Sequence, residues 1–158
     1  MNILTKCKRW FRTNYLKLKY KFNWNTGSVI ILKQGDRQLG LTTMMLEDCF
    51  FNNYKLFVPT YQSKHYALDI LYHYLSNLLC ETDQQRTLLK QNMRKEYLDM
   101  FICPNDITTR KYAGKDAIKI IVDNACTIDS IQVLYDAEFY DTDIEIVNGF
   151  VYAPYLKF

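Results

Sequence analysis

The stretch that decides the fold is residues 28–42, with the sequence SVIILKQGDRQLGLT. Its first five residues form a short, β-branched apolar run, which is typical of a strand buried on both faces of a parallel sheet. A polar loop with two glycines follows, and from Leu41 to Phe51 the apolar residues recur with helical spacing. The stretch therefore predicts a strand, a glycine-containing loop and a helix in direct succession.

The same alternation of strands and helices continues along the chain. The patterns predict strands over 54–58 and 118–122, helices over 62–79 and 82–101, a loop over 105–114, a helix or strand over 130–140, and a final strand or hairpin over 145–152. Strands that alternate with helices indicate βαβ units. We therefore expect an α/β fold, a three-layer sandwich with a mainly parallel sheet. With 158 residues in all, one domain over 28–158 is the expected organisation, with residues 1–27 as an arm packed on it.

The loop after the first strand has the spacing of a phosphate-binding loop. Gly35, Gly40 and Thr42 match G-x-x-x-x-G-K-[ST], but Leu41 stands where the pattern has lysine. In a working loop, backbone amides cradle the phosphates, the lysine contacts the β and γ phosphates, and the hydroxyl binds Mg²⁺. The position between a strand and a helix is the context that such a loop requires.

The apolar run over 118–122 ends in Asp123, the form of a Walker B strand. The aspartate of such a strand holds Mg²⁺. Asn124 occupies the next position, where hydrolysing enzymes often carry an acidic residue that orients the attacking water. Asparagine can hydrogen-bond a water but cannot accept its proton. A buried strand that merely ends in aspartate is the alternative interpretation.

These residues resemble one family. RQLGLTT, residues 37–43, resembles the R-x-x-G-K-T-T Walker A motif of viral terminase large subunits, the ATPases that package phage DNA. Residues 110–125 are similar to the segment that leads into the family's D-E-A Walker B motif. The resemblance covers residues 28–154 and implies an additional-strand, P-loop NTPase-like core. It also implies a viral protein in the host cytoplasm.

The two departures fall on the most demanding catalytic positions. Leu41 lacks the cation that stabilises charge on the transferring phosphoryl group, and Asn124 lacks the carboxylate that polarises water. We therefore expect a pseudo-ATPase with no catalytic residue and no required cofactor, in which Mg-ATP binding is weak at most. The degenerate nucleotide site comprises Gly35, Arg37, Gly40, Leu41, Thr42, Thr43, Asp123 and Asn124.

An inactive domain of this kind suggests a role in protein contact, because 13 Tyr and 9 Phe supply aromatic anchors. The expected partner is an active ATPase or a host complex, bound as a homo- or hetero-oligomer. A weak nucleotide-binding ATPase of the DNA-packaging type, with Arg37 or Lys33 replacing the lost charge, is one alternative.

Charge at the amino terminus suggests the other alternative, nucleic-acid binding. Residues 1–25 contain no acidic residue, although the whole chain carries a net charge of only +3. Aromatic residues lie between the basic ones, a combination that can follow a phosphate backbone and stack bases. A membrane surface or a solvated helix face fits the same composition. The seven basic residues are Lys6, Lys8, Arg9, Arg12, Lys17, Lys19 and Lys21.

Other classes of protein are disfavoured. No apolar run approaches the roughly 20 residues of a membrane span, and no apolar segment follows the basic start as in a secretory signal. Five cysteines without paired spacing indicate reduced thiols in the cytoplasm and argue against a disulfide framework or a zinc site.

Overall fold

A computed structural model describes residues 3–4, 7–8, 10–11, 14–15, 27–32 and 40–153. Most of the arm expected over residues 1–27 lies outside these residues, and the residues described between 3 and 15 are helical. The strands are β1 (Ser28–Leu32), β2 (Lys55–Phe57), β3 (Phe101–Ile102), β4 (Ile118–Val122) and β5 (Ile144–Tyr152). The helices are α1 (Leu41–Asn52), α2 (Tyr61–Leu79), α3 (Asp83–Tyr97), α4 (Pro104–Thr108) and α5 (Ile128–Tyr135).

The five strands form one sheet in the order β1-β5-β4-β2-β3, and every pairing is parallel. The α/β class and the parallel sheet predicted from the sequence are therefore confirmed. Helices cover both faces, because successive strand residues such as Leu56 and Phe57 enter two different clusters of buried side chains. Helices α1, α2 and α3 contribute to the first cluster, and α4 and α5 to the second.

Three local predictions need correction. The segment predicted as one helix over 82–101 ends its α-helix at Tyr97, continues as a 3-10 turn over Leu98–Met100 and enters strand β3. A two-residue strand is too short to leave a periodic pattern. The predicted loop over 105–114 contains α4, which begins with Pro104 and is capped by Asp106, whose carboxylate accepts the amide of Cys103.

The last strand is continuous, so the hairpin alternative at Asn148-Gly149 is wrong. Between Ile120 and Ile121 of β4 the register with β5 shifts by one residue, which leaves an extra residue in β5. Gly149 then faces Val122, and a Cβ on Gly149 would lie only 2.5 Å from the Cβ of Val122. The glycine is needed for close approach of two strands and does not form a turn.

Candidate functional site

The candidate site lies at the carboxyl ends of the strands, which share one edge because the sheet is parallel. Neighbouring strands β4 and β2 continue into helices on opposite faces, α5 and α2. Such a divergence opens a crevice, and ligands of open α/β sheets bind in crevices of this kind. Gly40 and the first residues of helix α1, Leu41 to Thr43, line the same crevice.

Three predicted residues from distant parts of the chain meet in this crevice. The hydroxyl of Thr42, in the first turn of α1, lies 3.1 Å from Oδ1 of Asp123 and 2.8 Å from Oδ1 of Asn124. It donates its single proton toward these two oxygens. The structure thus brings the threonine of the P-loop-type segment to the aspartate that ends the Walker B-type strand.

Backbone contacts fix the position of Asp123. Its amide donates to the carbonyl of Phe57 at 2.9 Å, and its carboxylate accepts the amide of Ala125 at 3.2 Å. The residue is only 5% exposed. Burial raises the pKa of the Asp123 carboxyl, and the hydrogen bonds from Ala125, Thr42 and the Asn124 amide only partly oppose this rise. A bound cation would favour the charged form of this buried group.

The start of α1 points at the same crevice without a side-chain cap. Gly40 precedes the helix with φ 80° and ψ 24°, a left-handed conformation that glycine adopts at little cost. The first amides of a helix lack partners within the helix, and their dipoles favour a negative group nearby. Gly40 has no side chain to satisfy them.

Leu41 belongs to the hydrophobic core. Its side chain is 2% exposed and belongs to the cluster that includes Met45 and Leu71. A lysine would have to leave this environment to reach a phosphate. Leu41 therefore differs from the lysine of the motif in packing as well as in charge.

The cavity in the crevice measures about 440 Å³, within the usual range for small-molecule sites. Sequence patterns did not reveal one of its walls, which α2 supplies through Ser63, Tyr66, Ala67 and Ile70. Thr60 caps α2 by accepting the amide of Ser63 at 3.1 Å and so starts the helix at this edge. The turn residues Pro59 and Thr60 after β2 were the available signal.

The lining fits a divalent cation better than it fits a triphosphate. The Thr42 hydroxyl and the Asp123 carboxylate are oxygen ligands of the kind Mg²⁺ takes, the ion usually keeping several of its waters. The described residues that line the cavity include no lysine or arginine to neutralise phosphate charge. Lys33, Gly35 and Arg37 lie outside the described residues, and Thr43 lines the cavity beside Thr42.

Of the seven basic residues assigned to the arm, only Lys8 falls among the described residues, where it is exposed. Trp10, Phe11 and Tyr15 are also exposed. Lys6, Arg9, Arg12, Lys17, Lys19 and Lys21 lie outside the described part of the chain.

No protein family, curated protein or solved structure matches this chain. Within the part of the chain that the structure describes, no helix is both long and apolar enough to cross a membrane. Nor do the described residues place three His, Cys, Asp or Glu side chains together as a metal site.

Proposed function

We propose that this chain is a catalytically inactive, P-loop ATPase-like protein that acts through protein contact. The observation that carries the proposal is the hydrogen bonding of Thr42 to Asp123 and Asn124, which joins the two motif-bearing strands at one crevice. Strand β5 lies between β1 and β4. That order supports the proposal, because an additional-strand ATPase core has one strand between the P-loop strand and the Walker B strand.

Inactivity follows from the chemistry of the site. Phosphoryl transfer depends mainly on positioning and on stabilising charge, and the buried Leu41 supplies no charge. The side-chain carbonyl oxygen of Asn124 accepts a hydrogen bond from Thr42, and an amide cannot act as a base. A magnesium ion supplies charge neutralisation when bound. The residues of this chain would hold it through Asp123 and the hydroxyl of Thr42.

Exposed aromatic side chains support a role in protein contact. Tyr66 at the rim of the cavity is 72% exposed, and Tyr61 on the same helix is also exposed. Tyrosine offers a large contact area at a small entropic cost and is enriched among the residues that dominate interface energies. The proposed partner is an ATPase or a host complex that contacts this edge of the sheet.

Restoring the two missing groups tests the proposal. Leu41→Lys with Asn124→Glu should raise ATP hydrolysis on the order of a hundredfold above wild type, the scale of one electrostatic stabiliser. Because Leu41 is buried, the same change should lower the free energy of unfolding by about 3 kcal/mol. Folding must therefore be checked by circular dichroism at low temperature.

The matched control is Leu41→Met with Asn124→Gln, which keeps similar sizes but adds no charge. A wild-type chain that hydrolyses ATP at an ordinary rate, about 1 to 1000 per second, contradicts the proposal. A folded double variant without activity argues against descent from an ATPase.

Nucleic-acid binding through residues 1–25 is the second candidate, favoured by the exposure of Trp10, Phe11 and Tyr15 beside Lys8. Salt distinguishes the two candidates. Affinity for single-stranded DNA should fall steeply with salt concentration, since backbone neutralisation releases counterions. Contact with a protein through aromatic anchors should depend on salt far less.

A further inference from the structure

Away from the crevice, three lysines surround one tyrosine. The ammonium groups of Lys55, Lys111 and Lys115 lie 5.6, 5.4 and 5.4 Å from the centre of the Tyr112 ring. Lys55 begins β2, so its end of the strand is opposite the carboxyl edge that carries Asp123. We refer to Lys55, Lys111, Lys115 and Tyr112 as the lysine cluster.

Acidic neighbours do not balance the charge of this cluster. Asp106 forms a buried ion pair with Lys64. Its Oδ1 atom lies 4.0 Å from the ammonium nitrogen of Lys111. Asp99 contacts Lys111 at 3.2 Å, but its side chain is 82% exposed, so this pair is a weak surface contact. Among the described residues, the two carboxylates that contact the cluster are thus Asp99 and Asp106, of which Asp106 is already paired with Lys64. Lys55 also donates to the backbone carbonyl of Asp99.

Lys55 is the member most affected by this imbalance. Burial lowers the pKa of Lys55, and the charges of Lys111, Lys115 and Lys64 lower it further, against the opposing effect of Asp99. A negative group among these lysines would relieve the repulsion. Lys111 and Lys115 are exposed, so the cluster can be reached from solvent, and Lys55 also lines a cavity of about 820 Å³ whose lining does not include the other members.

The tyrosine adds a second, independent observation. The hydroxyl oxygen of Tyr112 is buried and makes no hydrogen bond of ordinary geometry with the described residues. Burial raises the pKa of Tyr112 despite the opposing charge of Lys111, so the hydroxyl keeps its proton. The Lys111 ammonium still acts on this hydroxyl as a donor, so the proton of the hydroxyl remains available to an acceptor such as an anion.

We infer that the lysine cluster is a binding site for a phosphate-type anion, held by the ammonium groups of Lys111 and Lys115 with Lys55 behind them. Lysine binds phosphate as a point charge and suits a dianion that approaches from solvent. The proton of the Tyr112 hydroxyl supplies a donor. The site is independent of the proposed function, because none of its residues lines the crevice at Thr42 and Asp123.

The test is a titration of the full chain with inorganic phosphate at constant ionic strength, followed by amide chemical shifts in NMR. Saturable shifts are expected at Lys111, Tyr112 and Lys115. The double variant Lys111→Gln, Lys115→Gln should raise the dissociation constant at least tenfold. Shifts that chloride reproduces, or an unchanged affinity in the double variant, overturn the inference.

Lys90→Gln is the matched control, because Lys90 also lies over a tyrosine ring, 5.5 Å from the centre of Tyr72, but as a single cation–ring pair among the described residues. It should leave the phosphate affinity unchanged. A second titration uses adenosine monophosphate in place of inorganic phosphate. Equal affinity for both ligands assigns a free phosphate, whereas tighter binding of the nucleotide at the same lysines assigns a phosphate monoester.

If a variant unfolds, the pKa of the Lys55 ammonium can be measured directly in the wild-type chain. Phosphate should raise the pKa of Lys55 in the wild-type chain, since a neighbouring anion favours the charged form. A pKa of Lys55 that does not move at saturating phosphate contradicts the site.

Discussion

At the scale of single residues, Asp123 carries the most chemical consequence. It is nearly inaccessible, and burial raises the pKa of its carboxyl in the folded protein. Its raised pKa means that the folded state prefers the protonated form. Stability from this group is fully present below the unfolded pKa and is lost as the pH rises through the folded pKa. At neutral pH this group therefore contributes less stability than at acidic pH.

Asp123→Asn should accordingly stabilise the protein at pH 7, by about 1 kcal/mol, because the amide keeps an acceptor for Thr42 without a buried charge. Urea unfolding at several pH values measures this. The advantage of the variant should vanish below pH 4, where the wild-type carboxyl is protonated in both states. A variant less stable than wild type at pH 7 contradicts this account of Asp123.

Residue types and spacing singled out Asp123 and Asn124 because they directly follow a strongly patterned strand, and Thr42 because it stands at the motif's spacing from Gly35 and Gly40. They did not predict that Leu41 would be buried, since a lone leucine at a helix start fits a core or a surface equally well. Lys64 was unpredictable for a related reason. A lysine in the first turn of a helix is normally solvated, and only contact with Asp106 of α4 explains its burial.

At the scale of elements, the β-bulge between β4 and β5 positions the end of β4, which Asp123 follows. The extra residue in β5 lets Gly149 face Val122, the residue directly before Asp123. The amide nitrogen of Val122 would lie 2.6 Å from a Cβ on Gly149. Any side chain there must push the end of β4, and Asp123 with it.

Gly149→Ala should lower the free energy of unfolding by about 3 kcal/mol, the upper end for overpacked cores. Val122→Ala should not rescue it, because the backbone atoms of Val122 remain in contact. Chemical denaturation measures both variants. Gly114→Ala is the comparison, since Gly114 has φ 67° but no close neighbour, and about 1 kcal/mol is expected there. Equal losses at the two glycines would show that close strand approach is not the cause.

Long periodic elements were predictable from sequence, and short or non-local ones were not. The strands β1 and β4 and the helices α1 and α2 each present a clear pattern over five or more residues. Strand β3 has two residues, so nothing in its own sequence separates it from the end of a helix. Asn148-Gly149 favoured a turn locally, but tertiary packing against Val122 decided otherwise.

At the scale of the whole molecule, strand order is what turns separate motifs into a site. β1 and β4 precede and carry the two sequence patterns and are separated by β5, while the helices that follow the neighbouring strands β4 and β2 lie on opposite faces of the sheet. Alternation of elements predicted the parallel sheet, but this order depends on crossover directions that no local pattern encodes. The lysine cluster is equally non-local, since Lys55 and Tyr112 come from separate elements.

We propose above that this chain is a P-loop ATPase-like protein without catalytic activity. The most direct measurement is calorimetric titration of the wild-type chain with Mg-ATP, with phosphate release assayed on the same sample and on Asp123→Asn. Wild type and Asp123→Asn should release phosphate at equal rates at saturating Mg-ATP, and Mg-ATP should bind the wild-type chain weakly at most. Turnover of about 1 per second or faster in wild type, lost in Asp123→Asn, would contradict the proposal.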